Sequence, residues 1–403
     1  MWILLLCVCL PLVNSQCYWN NRDPYPYFGT KTPYDTLRGD FRDVPEIEEC
    51  EPISIWFMIR HGTRRPSTAD TRNMRKTVAL RDDILHNHGE GKGEMCAQDV
   101  EDLQNWTWNP KLDFKTSYLT SHGYQELFEF GQRFGQKFTS FLEDVSSSMI
   151  RPTSEQRTQG SVKAFVQGLQ GINRTFVIEN HILNDPVSNS YLARKTGIEM
   201  ELKPTIIMGM YDLCRFYRSY SLFKRSPWCS VFSDDDLEIL EYVEDIVHYF
   251  RNGYGKSLNA LTGAVGLKDL YEKFQNASQT GQKSFTAYFT HDTMVDMIYT
   301  AMGLYKDDPK LSGLERVKDR KWRTSFLTPF AANFVANATS RTYRIQFLVN
   351  EREMHLCTNR VCSWGEFRTT FKRFSNATLD FCDDLTYESS VINQSEMIAI
   401  VTL

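Results

Sequence analysis

The stretch ISIWFMIRHGTRRP, Ile53–Pro66, decides how this chain is read. Its first part, Ile53, Ile55, Trp56, Phe57, Met58 and Ile59, is an almost unbroken apolar run. Such runs form strands covered on both faces, as in parallel sheets. The run stops at Arg60-His61-Gly62-Thr63-Arg64-Arg65-Pro66, where glycine lets the chain turn. Ligands of open α/β sheets bind just past the carboxyl ends of strands. A histidine among arginines is held neutral, because another positive charge nearby is unfavourable. A neutral imidazole is a nucleophile. The guanidinium forks of Arg60 and Arg64 suit phosphoryl oxygens. A lone RHG tripeptide would be read as a basic surface loop. The longer R-H-G-x-R-x-P after a buried strand outweighs that reading.

Such a nucleophile needs a proton donor for the leaving oxygen. Ser284–Phe289 again has strand composition and runs into Thr290-His291-Asp292. Asp292 is the candidate donor and His291 a candidate hydrogen-bond donor to a phosphoryl oxygen. Alone, His-Asp is no more than a common way to begin a helix. Its place after a second buried strand gives it weight.

The chain has 403 residues, with 41% hydrophobic and 13% aromatic residues, enough for a large buried core. A net charge of −4 gives no reason to expect nucleic-acid binding or a membrane-surface role. Residues 1–15 read as a secretory signal peptide, and no later run is long and apolar enough for a transmembrane helix. The ending IAIVTL is neither a KDEL-type retrieval signal nor a GPI tail. Without Cys7 and Cys9, eight of the ten cysteines remain, an even number that suggests disulfides. Sequons at Asn105, Asn173, Asn276, Asn337, Asn376 and Asn393 fit a glycoprotein. Together these predict a secreted protein or one in the lumen of the secretory pathway. His86, His88 and Cys96 are weak metal-ligand candidates in a glycine-rich loop, and no metal or cofactor is expected.

Residues 16–45, rich in Tyr, Pro, Asp and Gly, read as an extended arm on the surface. Arg72–Asp83 is loosely helical, with Arg72, Arg75, Lys76 and Arg81 on its polar face. Leu127, Phe130, Phe134, Phe138 and Leu142 mark an amphipathic helix. Ser147–Arg151 is a short strand, followed by a helix through Val162, Phe165, Val166 and Leu169. Leu237–Phe250 is a further helix capped by Ser233. Tyr343–Val349 and Met354–Leu356 read as two more strands. The pattern predicts an α/β fold with an open, mostly parallel sheet flanked by helices. Residues 46–170 and 284–385 would form this discontinuous domain, 171–283 an inserted helical domain, and 386–403 a tail.

Six segments carry a resemblance: PYFGTKTPYD (26–35), IRHGTRRP, RPTSEQRTQGSVKAFVQGL, MYDLCRFYRSYSLFKRSPWCSVFSDDDLEILEY, FTHDTMVDMIYTAMGLY and LVNEREMHLC. They resemble the histidine phosphatase superfamily in its acid phosphatase and phytase branch, most closely the multiple inositol polyphosphate phosphatases. The resemblance implies that His61 attacks phosphorus, that Arg60, Arg64 and His291 hold the phosphoryl oxygens, and that Asp292 protonates the leaving alkoxide. It implies a further phosphate-binding arginine in R-x-[ST]-x-x-x-R, matched by Arg151 and Arg157. It also implies the disulfides Cys214–Cys229 and Cys357–Cys362, leaving the pairing of Cys17, Cys50, Cys96 and Cys382 open. One departure stands out. Animal members of that group usually carry His-Ala-Glu where this chain has His291-Asp292, so the donor is one carbon shorter and positional selectivity does not follow.

The leading expectation is a phosphomonoesterase acting on inositol polyphosphates. The alternatives are a broad acid phosphatase and an idle anion-binding glycoprotein. Arg65, with Arg72, Arg75, Lys76 and Arg81, would suit a substrate bearing several phosphates.

Overall fold

The computed structural model describes residues 17–18, 23–93, 95–172, 176, 203–221, 225–340 and 342–380. Six strands form one sheet: β1 (Pro52–Arg60), β2 (Ser147–Pro152), β3 (Ser284–Thr290), β4 (Asn333–Thr339), β5 (Ile345–Val349) and β6 (Arg352–Met354). Their order is β2-β3-β1-β4-β5-β6. β1 and β2 each pair parallel with β3, whereas β4, β5 and β6 continue the sheet antiparallel from β1. The α/β sheet flanked by helices is as expected, but it is mixed rather than mostly parallel. The difference comes from β4, a wholly buried strand whose Asn333, Asn337 and Thr339 hide it from a hydrophobic reading.

The main helices are α1 (Thr68–Val78), α2 (Ser121–Lys137), α3 (Gln156–Gly168), α4 (Pro204–Arg215), α5 (Asp234–Arg251), α6 (Ser257–Thr280), α7 (Asp292–Met302) and α8 (Trp364–Phe371). β1 alternates its side chains between two cores, as the period of a strand requires. Ile55, Phe57 and Ile59 face α2 and α3, where Phe57 meets Phe130, Phe134 and Phe165 edge-on. Trp56 and Met58 face α6 and α7, and Trp56 Nε1 donates to Asp269 Oδ2 at 2.8 Å. A third core joins α1, α4 and the start of α5 through Met74, Tyr211, Trp228 and Leu240.

The stretch 171–283 is thus divided in its packing. α6 lies on the sheet, while α4 and the first half of α5 pack with α1. As a proposal, this packing favours a helical unit drawn from both 68–113 and 204–251.

The N-terminal arm does not lie on the surface. Phe28, Tyr34 and Phe41 are buried, because an aromatic-rich segment without periodicity can still fill the gaps between layers. Tyr34 donates to Glu351 Oε1 at 2.8 Å and accepts from Asn333 Nδ2 at 2.6 Å, and Arg133 Nε closes the network on Glu351 Oε2 at 2.7 Å.

Disulfides join Cys214–Cys229 and Cys357–Cys362, as the resemblance implies, and Cys17–Cys96, which removes Cys96 as a metal ligand. Cys50 is the free cysteine among the described residues, and Cys382 lies outside them. Among the sequons, Asn105, Asn276 and Asn376 are exposed, whereas Asn173 and Asn393 lie outside the described residues. Asn337 requires a correction. It is 4% exposed on the central strand β4, where the folded sheet has no room for a glycan. The signal peptide and the tail also lie outside the described residues.

The turn after β1 is pressed onto the start of α2. A Cβ on Gly123 would collide with the Thr63 backbone, and one on Gly62 with the Gly123 carbonyl. Gly123→Ala is therefore expected to lower stability by roughly 1–3 kcal/mol, the usual effect of overpacking. A denaturant midpoint equal to wild type would show that the close approach is not required.

Candidate active site

The parallel register of β1 and β3 sets Arg60 opposite Thr290 and ends both strands at one level. The His61 N–H donates to the Thr290 carbonyl at 3.0 Å, so the two polar turns lie side by side. The His61 and His291 rings are 5.4 Å apart between centroids. Helices fix the turn from the other side. Gly62 N–H donates to Ser161 Oγ at 3.1 Å on α3. Thr63 N–H and Oγ1 donate to the buried Glu126 on α2 at 2.6 and 2.8 Å.

His61 is 2% exposed. Its Nδ1 lies 2.8 Å from the Gly62 carbonyl, which can only accept, so Nδ1 carries the proton and Nε2 keeps its lone pair. Burial, and then the charges of Arg60 and Arg157, hold the imidazole well below the usual histidine range. His291 is brought down to about 4 by burial and the charge of Arg157, and its Nε2 lies 3.2 Å from Thr153 Oγ1.

Arg60 is 1% exposed. It donates to the carbonyls of Thr30 and Thr328, the latter at 2.8 Å, and pairs with Asp292 Oδ2 at 2.9 Å. Burial pulls its pKa down to about 10, still far above neutrality. Burial acts to raise Asp292, but the Arg60 charge overrides it and holds the carboxyl well below the usual carboxylate range.

These groups line a cavity of about 540 Å³. Of the expected site residues, the cavity collects His61, Arg60, Arg64, His291, Asp292 and Arg157. Arg157 pairs with Glu155 at 2.9 Å on the cavity wall.

Two expectations are corrected. Arg151 lies on the exposed side of the edge strand β2 and does not line the cavity; the alternation of the strand turns it away. Arg65 is drawn outward to the carbonyls of Phe114 and Lys111, at 2.8 and 3.3 Å. Arg72, Arg75 and Lys76 on α1, and Arg81 in the helix Leu80–Gly89 that follows, also miss the cavity. Arg75 pairs with Asp113 and lies over Trp108, and Arg81 donates to Asp82 and the Trp106 carbonyl.

The additional cations come instead from Lys31 on the arm and Arg251 on α5, joined on the wall by Glu244 and His248. Lys31 pairs with Glu244 Oε2 at 3.0 Å. Glu244, His248 and Arg251 recur at i, i+4 and i+7, a polar stripe on a helix otherwise read only for its apolar face. That spacing was the available signal. For Lys31 the sequence offers none beyond its place in the 26–35 segment.

A buried neutral histidine ringed by guanidinium groups at the strand ends of a helix-flanked sheet defines an α/β protein with a nucleophile set in an anion pocket. The chain belongs to the histidine phosphatase superfamily (branch 2), whose family model matches residues 54–194 and 181–350. Among curated relatives, multiple inositol polyphosphate phosphatase 1 of Drosophila melanogaster is 26% identical, covering 93% of this chain and 92% of that protein. The Homo sapiens protein of that name is 25% identical, with 93% and 89% covered. An acid phosphatase of Schizosaccharomyces pombe is 23% identical, with 87% and 83% covered. The fold matches the solved phytase from D. castellii, with a TM-score of 0.72 at 13% identity over 88% of this chain and 86% of that one.

The site generates a test of its own. His61 should stay neutral as pH falls through 6.5, the ordinary histidine value. An NMR titration following the His61 ring nitrogens is expected to show the ring still neutral at pH 6.5. A midpoint near 6.5 would mean that burial and the arginines do not govern this imidazole.

Proposed function

We propose that the chain is a phosphomonoesterase that hydrolyses inositol polyphosphates through a phosphohistidine on His61. The observation that carries this reading is unused donor capacity around a free nucleophile. Arg60 Nε, Arg157 Nε and His291 Nδ1 are buried with no hydrogen-bond partner among the described residues, close to a His61 whose Nε2 is unprotonated. Buried polar atoms are normally satisfied, and a phosphoryl group supplies the missing acceptors.

His61 Nε2 attacks phosphorus while Arg60, Arg64, Arg157 and His291 hold the oxygens on which charge builds. Asp292 stands at the leaving side as the acid for the departing alkoxide. At rest it is an ionised partner of Arg60. Bound phosphate competes for Arg60 and adds negative charge, and both effects raise Asp292 so that it can carry a proton. Water then cleaves the P–N bond.

Lys31 and Arg251 support a substrate with several phosphates, since one phosphate uses only the cations around His61. The names of the relatives, and the similarity of the fold to a Bifidobacterium longum multiple inositol polyphosphate phosphatase solved with inositol hexasulfate (TM-score 0.62), agree with that choice. The acid phosphatases among the relatives favour broad specificity as the second reading. We also propose that the protein is exported, as the three disulfides among the described residues suit an oxidising compartment.

His61→Ala is expected to keep less than about a thousandth of wild-type turnover, with the melting transition preserved. A larger residual rate would remove nucleophilic catalysis by His61. Neutralising Lys31 and Arg251 together should raise KM for phytate roughly tenfold or more, the worth of a lost charge-assisted hydrogen bond, and leave a monophosphate ester nearly unaffected. Equal effects on both substrates would favour the broad acid phosphatase.

A further inference from the structure

One buried polar cluster on the cavity wall has no part in the chemistry above. His248 of α5 has a side chain only 8% exposed. Its Nδ1 lies 2.9 Å from Asp296 Oδ2 on α7. The same carboxylate accepts from Asn252 Nδ2 at 3.2 Å and, through Oδ1, from Thr328 Oγ1 at 3.1 Å. Asp296 is completely buried and thus anchored on several sides. Asn252 Nδ2 also lies 3.0 Å from Nδ1, but it donates to the same carboxylate, and the carboxylate, which can only accept, makes Nδ1 the protonated nitrogen. Nε2, on the opposite edge of the ring, has no hydrogen-bond partner among the described residues, and His248 lines the same cavity as Asp292. The charge of His248 also acts on Asp292. Asp292, one turn before Asp296 on α7, is locked onto Arg60 as a carboxylate and holds no proton when substrate arrives. The acid must be loaded from elsewhere in the cavity, and His248 is the group there that is anchored on one ring nitrogen by Asp296 and whose charge acts on Asp292.

We propose that His248 is the proton reservoir of the reaction and works with Asp292 as a single acid. The inference rests on the phosphohistidine reading. In the substrate-free enzyme Nε2 holds a proton, with Asp296 compensating the imidazolium. When phosphate claims Arg60, that proton passes to the Asp292 carboxylate, directly or through one water. It moves on to the leaving oxygen as the P–O bond breaks and the bond from His61 Nε2 to phosphorus forms. In the second half the attacking water gives up a proton that returns by the same route to His248, and the P–N bond breaks to release phosphate. The charged groups that act on the ring are Asp292 and Asp296 from α7 and Glu244 from its own helix, while Lys31, Arg60 and Arg251 line the same cavity. His248 is here a positioning and relay residue that acts through Asp292.

The test compares His248→Gln, His248→Asn and Asp292→Asn on an alkyl phosphate and on a nitrophenyl phosphate, whose leaving group needs no proton. Both His248 variants are expected to lose about 100-fold in kcat on the alkyl ester, within the usual range for general acid catalysis, and little on the nitrophenyl ester. Combining His248→Gln with Asp292→Asn should cost no more than the worse single variant, because the two act as a unit. The loss of kcat with rising pH on the alkyl ester should also disappear in His248→Gln. Equal losses on both esters, additive effects or an unchanged pH profile would overturn the relay. Rapid-quench trapping of phosphohistidine from the nitrophenyl ester separates the two levels of argument. If neither wild type nor variant is labelled, the phosphohistidine reading itself is wrong. If both are labelled and the alkyl-ester rate is unaffected, only the role of His248 is.

Discussion

The register of β1 against β3 is the constraint on which the site depends. Two parallel strands that end level, Arg60 opposite Thr290, bring the polar turns after them into contact. A shift of one residue would turn every side chain of β1 to the other face. It would put Trp56 and Met58 among the phenylalanines of α2 and α3, and Phe57 against α6. The packing of both cores therefore enforces the alignment of His61 with His291. The site inherits its accuracy from aromatic residues well away from it. The turn adds its own restraints, through Ser161 on α3 and Glu126 on α2.

The second constraint is charge. Several guanidinium groups share one cavity, and Arg60 lies almost fully out of water. A buried cation requires hydrogen bonds and a counter-charge. The carbonyls of Thr30 and Thr328 supply the former and Asp292 the latter. The same environment that is hard on Arg60 keeps His61 neutral. An anion entering the cavity relieves the repulsion and fills vacant donor positions, so binding and catalysis draw on the same imbalance. That is also why a carboxylate beside Arg60 cannot hold a proton until the anion arrives.

What was legible in the sequence follows from these two constraints. β1, β3 and the helices on either side announce themselves by apolar period, and the turns at the strand ends by abrupt changes of polarity. The nucleophile and its neighbours were legible because they are contiguous with those strands. β4 escapes a reading of composition because Asn333 is buried, with its side chain donating to Tyr34 and its backbone N–H to Asn350, which local composition cannot reveal. The arm reads as surface for a similar reason: aromatic residues without period give no hint of burial. Arg151 and Arg157 were hard to rank because strand and helix point side chains by different rules across a short connection. Arg157, on the first turn of α3, faces the cavity, whereas Arg151 follows the pleat of an edge strand.

The cavity lies where the sheet meets the helical layer, and the two sides supply different things. His61, Arg60, His291 and Asp292 come from strand ends, where side-chain directions are fixed by the ladder. Lys31, Glu244, His248 and Arg251 come from the arm and α5, whose place depends on helix packing and on buried ion pairs. Glu244 shows the linkage. Burial acts to raise it, yet Arg215 and Lys31 hold it ionised, so the arm, α4 and α5 are tied together at the cavity wall. Removing Arg215, which pairs with both Glu244 and Asp212, would leave buried carboxylates short of a counter-charge, which is strongly destabilising. The wall can therefore be as rigid as the strand ends without a strand of its own, and a substrate larger than one phosphate would be measured against a surface held by charge rather than by backbone hydrogen bonds.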